Sequence, residues 1–151
     1  MAWNEDYTNP QSDFARLTEC EAKPGTYNCV RTLVKGLHRE HPAGENWSYS
    51  SGGAWLLGDV LERDTSMTLA AYLEKTIWQP YGMASDGLWL AYSNGHHAVG
   101  AHGFNATLED WGRFGKFILH NGTLPDGEQI LTEGRVIRST ACTQAKGPVH
   151  D

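Results

Sequence analysis

The chain has 151 residues and a formal net charge of −6, length for one hydrophobic core and too little positive charge for a nucleic-acid or anionic-membrane surface. Small neutral or cationic molecules remain as ligands. No apolar run approaches the roughly 20 residues of a membrane span, and polar residues rather than a signal-peptide pattern follow Met1, so a cytoplasmic location is expected. Cys20, Cys29 and Cys142 are odd in number and lack Cys-x-x-Cys spacing; they read as buried free thiols rather than a disulfide framework or a thiolate zinc site.

The pattern predicts a mainly α chain forming a single helical domain over residues 1–151. A first short helix runs from Ser12 to about Glu19, capped by Ser12 or Asp13. After the Lys23-Pro24-Gly25 turn, Val30, Leu33, Val34 and Leu37 recur at helical spacing between Asn28 and His38. Gly52 to Arg63 repeats the pattern with Leu56, Leu57, Val60 and Leu61. Thr68 caps a helix to about Ile77, with Leu69, Tyr72 and Leu73 inward, which stops before Pro80. Periodicity fails between Asp86 and Gly103, a Gly-, aromatic- and His-rich loop or short hairpin. Thr107 opens the longest predicted helix, to about His120, with Leu108, Trp111, Phe114, Ile118 and Leu119 as its apolar stripe. Asn121-Gly122 stops it, and Thr132 starts a last short helix to about Ser139.

Tyr49-Ser50-Ser51-Gly52-Gly53, with the helix after it, carries the most specific information in the chain. It agrees in order with Trp3-Asn4-Glu5-Asp6-Tyr7, Ser12-Asp13, Pro42-Ala43-Gly44, the Tyr72–Met83 stretch and the Gly103–Gly115 stretch. Together these resemble the serine β-lactamase-fold hydrolases, in particular the carboxylesterase and nylon-oligomer hydrolase branch close to class C β-lactamases. The resemblance implies a compact helical lobe of that fold, with a short hairpin or loop region and without the main sheet: an α-rich module cut from a larger enzyme. Such a lobe carries aromatic surface that the sheet covers in the parent fold, which implies a homodimer here.

The family's Ser-x-x-Lys, whose serine is the nucleophile and whose lysine tunes proton transfer, occurs nowhere in the sequence. Ser51 also stands where class C enzymes usually carry Asn. Tyr49 and Ser51 therefore survive without the family's nucleophile, and any activity must use other groups.

Histidine is the obvious substitute. His96, His97 and His102 fall within seven residues, and the Ala101-His102-Gly103 position resembles the place where class C enzymes present a side chain to the pocket facing the motif tyrosine. That placement implies one cleft holding His102 and Tyr49. Imidazole is the commonest zinc ligand, and two or three with a carboxylate or water make the open site that lowers the pKa of bound water to near 7. His38 and His41, three apart at a predicted helix end, could add a ligand, and Glu45, Glu109 and Asp110 are candidate carboxylates. The competing reading leaves the loop histidines solvated, since no His-Glu-x-x-His signature is present.

The sequence therefore points to a small metal-dependent hydrolase of activated esters, phosphate esters favoured. His96, His97, His102 and His41 would hold zinc or another divalent ion. Tyr49 and His102 would be catalytic, the phenol, whose ordinary pKa is about 10, gaining from the metal the cation it needs near neutral pH. A small-molecule ester would be the substrate, with neither nucleic acid nor membrane as partner. The alternatives are a metal-free, weak carboxylesterase using Tyr49 and Ser51 with a histidine base, and a non-catalytic lobe that binds a partner.

Overall fold

A computed structural model describes residues 3–23, 26–39, 41–42, 45, 48–92 and 97–132, with backbone alone at 26 and 27. Among them the chain forms α1 (Asp13–Glu21), α2 (Thr26–Lys35), α3 (Ser51–Thr65), α4 (Leu69–Leu73), a π-helical turn (Glu74–Trp78), β1 (Leu88–Trp89), β2 (Phe104–Asn105) and α5 (Leu108–Leu119). The strands pair antiparallel, Leu88 opposite Asn105 and Trp89 opposite Phe104, and an isolated bridge joins Ala91 to Ala98. The predicted break in periodicity is thus a short hairpin. Past its first residue, Thr132, the helix predicted to run to Ser139 lies outside the described residues, as does the Cys142 thiol. No helix among the described residues is long and apolar enough to cross a membrane.

Short polar side chains set the helix starts by accepting a hydrogen bond from an otherwise orphaned first-turn amide. Ser12 Oγ accepts from Ala15 N, Ser50 Oγ from Gly53 N, Thr68 Oγ1 from Ala71 N and Thr107 Oγ1 from Asp110 N. Ser66 at φ 55° closes α3, and Asn121 at φ 57° with Gly122 at φ 73° closes α5, as the Asn-Gly pair predicts. The helix expected over 68–77 is split: after Leu73 the chain widens into the π turn, where Gln79 N reaches back five residues to Glu74 O at 3.0 Å. Helix α2 ends at Lys35, so His38 and His41 are exposed coil residues rather than neighbours on a helix face.

The chain divides into two compact units, Met1–Tyr72 with Leu88–Asn105, and Leu73–Gly87 with Ala106–Asp151. In the first, Trp3, Leu17, Cys20, Val30, Leu33, Trp55, Tyr92 and Val99 form the core, with Val34 and Leu37 packed against it. The inward placement predicted for Val30, Leu33, Val34 and Leu37 holds, although Leu37 lies beyond the end of α2 at Lys35. Cys20 and Cys29 are not free thiols: their sulfurs are bonded, with Cα atoms 5.6 Å apart, joining α1 to α2. Spacing alone could not show this, because the packing of α1 on α2 is what brings the two residues together.

The buried face of α3 differs from the leucine pattern. Gly52, Trp55, Gly58, Asp59 and Glu62 are inward, whereas Leu57 and Val60 are exposed. Asp59 can be buried because Arg31 on α2 binds it through Nη2 at 2.6 Å and Nε at 3.3 Å, and Arg63 adds a contact at 3.3 Å from one turn along. Gly52 is inward for a steric reason: a Cβ there would lie 2.3 Å from the Trp3 ring.

In the second unit Phe117 is fully buried, with Tyr81 edge-on at 5.4 Å and Phe114 at 6.1 Å. The stripe predicted for α5 is wrong at its ends, since Leu108 and Leu119 are exposed and Trp111 is partly so. The inward face is instead oriented by Asp110. Its buried carboxylate accepts from Ala84 N at 2.7 Å, Ser85 N at 3.1 Å, Thr107 Oγ1 at 2.8 Å and Arg113 Nη1 at 2.7 Å. The bond from Ala84 and the further donors outweigh desolvation and hold Asp110 below the usual aspartate range.

Gly52→Ala should destabilise the protein by about 1–3 kcal/mol in urea unfolding, because Trp3 must leave its place in the core. Gly115→Ala, in an exposed helical position with open space around it, should be neutral or slightly stabilising in the same assay.

Candidate functional site

The first turn of α3 presents the tyrosine motif. Tyr49 precedes the cap and is 57% exposed, Ser50 is occupied in capping Gly53 N, and Ser51 opens the helix. Ser51 is held from a distance in sequence: its amide donates to Glu5 Oε2 at 3.0 Å and its hydroxyl donates to Glu5 Oε1. The same carboxylate accepts from the Trp3 indole N–H and from Tyr7 OH at 3.2 Å. A carboxylate at this position also lies at the positive end of the α3 dipole.

These contacts set the charge state of Glu5. Burial pushes its carboxyl up, but the Ser51 hydroxyl, the Ser51 amide, the Trp3 indole and the Tyr7 phenol together pull it below the ordinary glutamate value. Tyr7 moves the other way, raised by desolvation first and then by its bond to Glu5. Glu5 is therefore an ionised anchor and a poor base. Ser51, bonded to it, is not placed as a free nucleophile.

The loop histidines are held by separate carboxylates. His97 Nδ1 lies 2.6 Å from Glu62 Oε2 on α3, and Glu62 Oε1 accepts from Leu69 N at 3.0 Å, tying the loop and the start of α4 to one buried side chain. His102 Nε2 lies 3.3 Å from Glu21 Oε2 at the end of α1. The hairpin backbone fixes both positions, with Tyr92 N donating to His97 O at 2.9 Å, and the Trp89 indole donating to Val99 O at 3.0 Å and His102 O at 3.2 Å.

Among the described residues no three His, Cys, Asp or Glu side chains gather where they could hold a metal ion. His96 lies outside the described residues, and His41 is exposed. Of the carboxylates suggested by the sequence, Asp110 is engaged by backbone amides, Glu109 pairs with Arg113 at 2.6 Å, and Glu45 is exposed. The carboxylates that meet the motif and the histidines, Glu5, Glu62 and Glu21, were not singled out. Glu5 sits in the Trp3–Tyr7 stretch that carried the resemblance, which is the one available signal; Glu62 and Glu21 look like ordinary solvent-facing helix residues.

The family model described as Beta-lactamase matches residues 5–147, a span that contains Glu5, the tyrosine motif and the hairpin. The chain belongs to the Beta-lactamase family. Among solved structures it is similar to a candidate 6-aminohexanoate-dimer hydrolase from Bacillus anthracis, at 24% identity and a TM-score of 0.67 over 85% of this chain and 34% of that one. This chain thus spans about a third of the length of that relative. The likeness is one of fold, and the five α-helices and two-stranded sheet of the described residues correspond to a helical lobe of the β-lactamase-like fold. No curated protein matches the chain.

Glu5 gives the site a defined pH response. Its folded-state pKa lies below the ordinary value of 4.5, so the unfolded chain takes up the proton first and acid favours unfolding. The stabilisation is present above the unfolded-state pKa and is lost as pH falls through the folded-state pKa. The stability gap between wild type and Glu5→Gln should therefore be widest above about pH 5 and close on further acidification, as read by urea unfolding across a pH series.

Proposed function

We propose that this chain carries the tyrosine-motif wall of a hydrolase that cleaves carboxylic ester or amide bonds, with Tyr49 taking a proton from the attacking water and passing it to the leaving group. The observation that carries the reading is the exposed Tyr49 phenol on a helix start that Glu5 fixes through Ser51, in a chain whose family match runs almost its whole length. A rigid mount with an accessible proton-transfer group is what general acid–base chemistry needs. The sequence contains no Ser-x-x-Lys, and the hydroxyls of Ser50 and Ser51 are engaged, so neither motif serine is assigned as nucleophile.

One observation favours a second reading, the histidine-held metal hydroxide acting on activated esters, phosphate esters included. A carboxylate on Nδ1, as Glu62 provides for His97, is the arrangement that fixes the tautomer of a metal-ligating imidazole. His102 meets Glu21 through its other ring nitrogen, Nε2, at 3.3 Å, which leaves Nδ1 as the nitrogen that could ligate. A homodimer belongs to either reading, supported by the exposed Leu57 and Val60 of α3 and Leu108 and Leu119 of α5.

Hydrolysis of nitrophenyl acetate and nitrophenyl phosphate by the full chain separates these readings. The first expects carboxylic ester turnover that survives exhaustive chelation and falls roughly 100-fold or more in kcat/KM in Tyr49→Phe. Equal turnover by wild type and Tyr49→Phe, or no carboxylic ester turnover at all, would overturn it. Activity that is lost on chelation and returns with zinc would establish the second.

A further inference from the structure

The Cys20–Cys29 bond borders a surface groove of about 450 Å³, with Arg16 and Glu19 of α1 and Asn28 and Thr32 of α2 beside it. The two sulfurs are unlike in access: Cys20 is buried at 5% exposure in the core, whereas Cys29 is an exposed residue of α2. Thiol–disulfide exchange requires in-line approach of a thiolate to one sulfur, so access decides which is attacked. Arg16, paired with Asp13 at 3.3 Å, and Glu19, paired with Lys23, both line or border the groove, and such exposed pairs exchange partners at little cost. A rim that offers both signs of charge suits a small zwitterionic peptide thiol.

We infer that Cys29 is a thiol-exchange modification site, taking a low-molecular-weight peptide thiol of the glutathione kind from the groove. The incoming thiolate attacks Cys29 Sγ and forms a new S–S bond; the Cys20–Cys29 bond breaks, and Cys20 leaves as a thiolate that takes a proton from water. One disulfide and one thiol are consumed and one of each is formed, so no separate oxidant is needed. The exchange removes the covalent link between α1 and α2 and leaves their packing to hold them together. Helix α1 carries the Glu21 partner of His102, and α2 carries the Arg31 partner of Asp59, so the modification acts on two supports of the hairpin and of α3.

The test is to incubate the full chain, purified without reductant, with reduced glutathione in native buffer. Exchange is quenched with acid, free thiols are alkylated, and the peptides are mapped by mass spectrometry. The expected product carries glutathione on Cys29 and the alkylating group on Cys20. An adduct on Cys20, equal labelling of the two, or labelling only after denaturant is added would overturn the proposal. So would three titratable thiols in the protein before any thiol is supplied, since the sequence holds three cysteines and the bond removes two.

Discussion

The carboxylate of Glu5 is the constraint on which the motif depends. An amide and a hydroxyl from Ser51, an indole N–H and a phenol converge on two oxygens, and each is a hydrogen bond to a charged acceptor, stronger than its neutral counterpart. The anchor crosses 46 residues of chain to fix the first turn of α3. It also seats Trp3 against Gly52, where any side chain would collide with the ring. The exposed Tyr49 is therefore attached to a rigid helix start rather than to a free loop.

A second layer is made of carboxylates that organise loops. Glu62 receives both His97 and the amide of Leu69, and Asp59 receives Arg31 and Arg63, so the inner face of α3 is polar where its leucines would have been expected. Buried charges of this kind are tolerated only when their partners are in place, which makes them specific about which helix packs where. For function the consequence is that the two described loop histidines are oriented individually by carboxylates.

Much of the architecture was legible in the chain. The caps at Ser12 and Thr107 and the stop at Asn121-Gly122 follow from local rules, and they hold because each depends on a side chain or backbone angle and its own helix turn; the apolar positions of α2 hold because hydrophobic spacing and burial agree there. The faces of α3 and α5 were not legible. Leu57, Val60, Leu108 and Leu119 outscore Asp59, Glu62 and Asp110 on any hydrophobic scale, yet the acids are inside because partners from elsewhere satisfy them. Periodicity reads hydrophobicity and is blind to such pairing. The same limit explains the site: Tyr49 and the family were readable from a motif, whereas Glu5 acts through a contact between segments far apart in sequence, and the Cys20–Cys29 bond depends on the packing of two helices.

A double-mutant cycle between Glu5 and Ser51 tests the anchor most directly. Glu5→Gln, Ser51→Ala and the double variant would be unfolded in urea at neutral pH beside wild type. The account predicts a coupling energy of about 1.5–3 kcal/mol, the range for hydrogen bonds to a charged group. Additive single effects, with coupling near zero, would contradict it and leave the tyrosine motif without the mount from which its proposed role is argued.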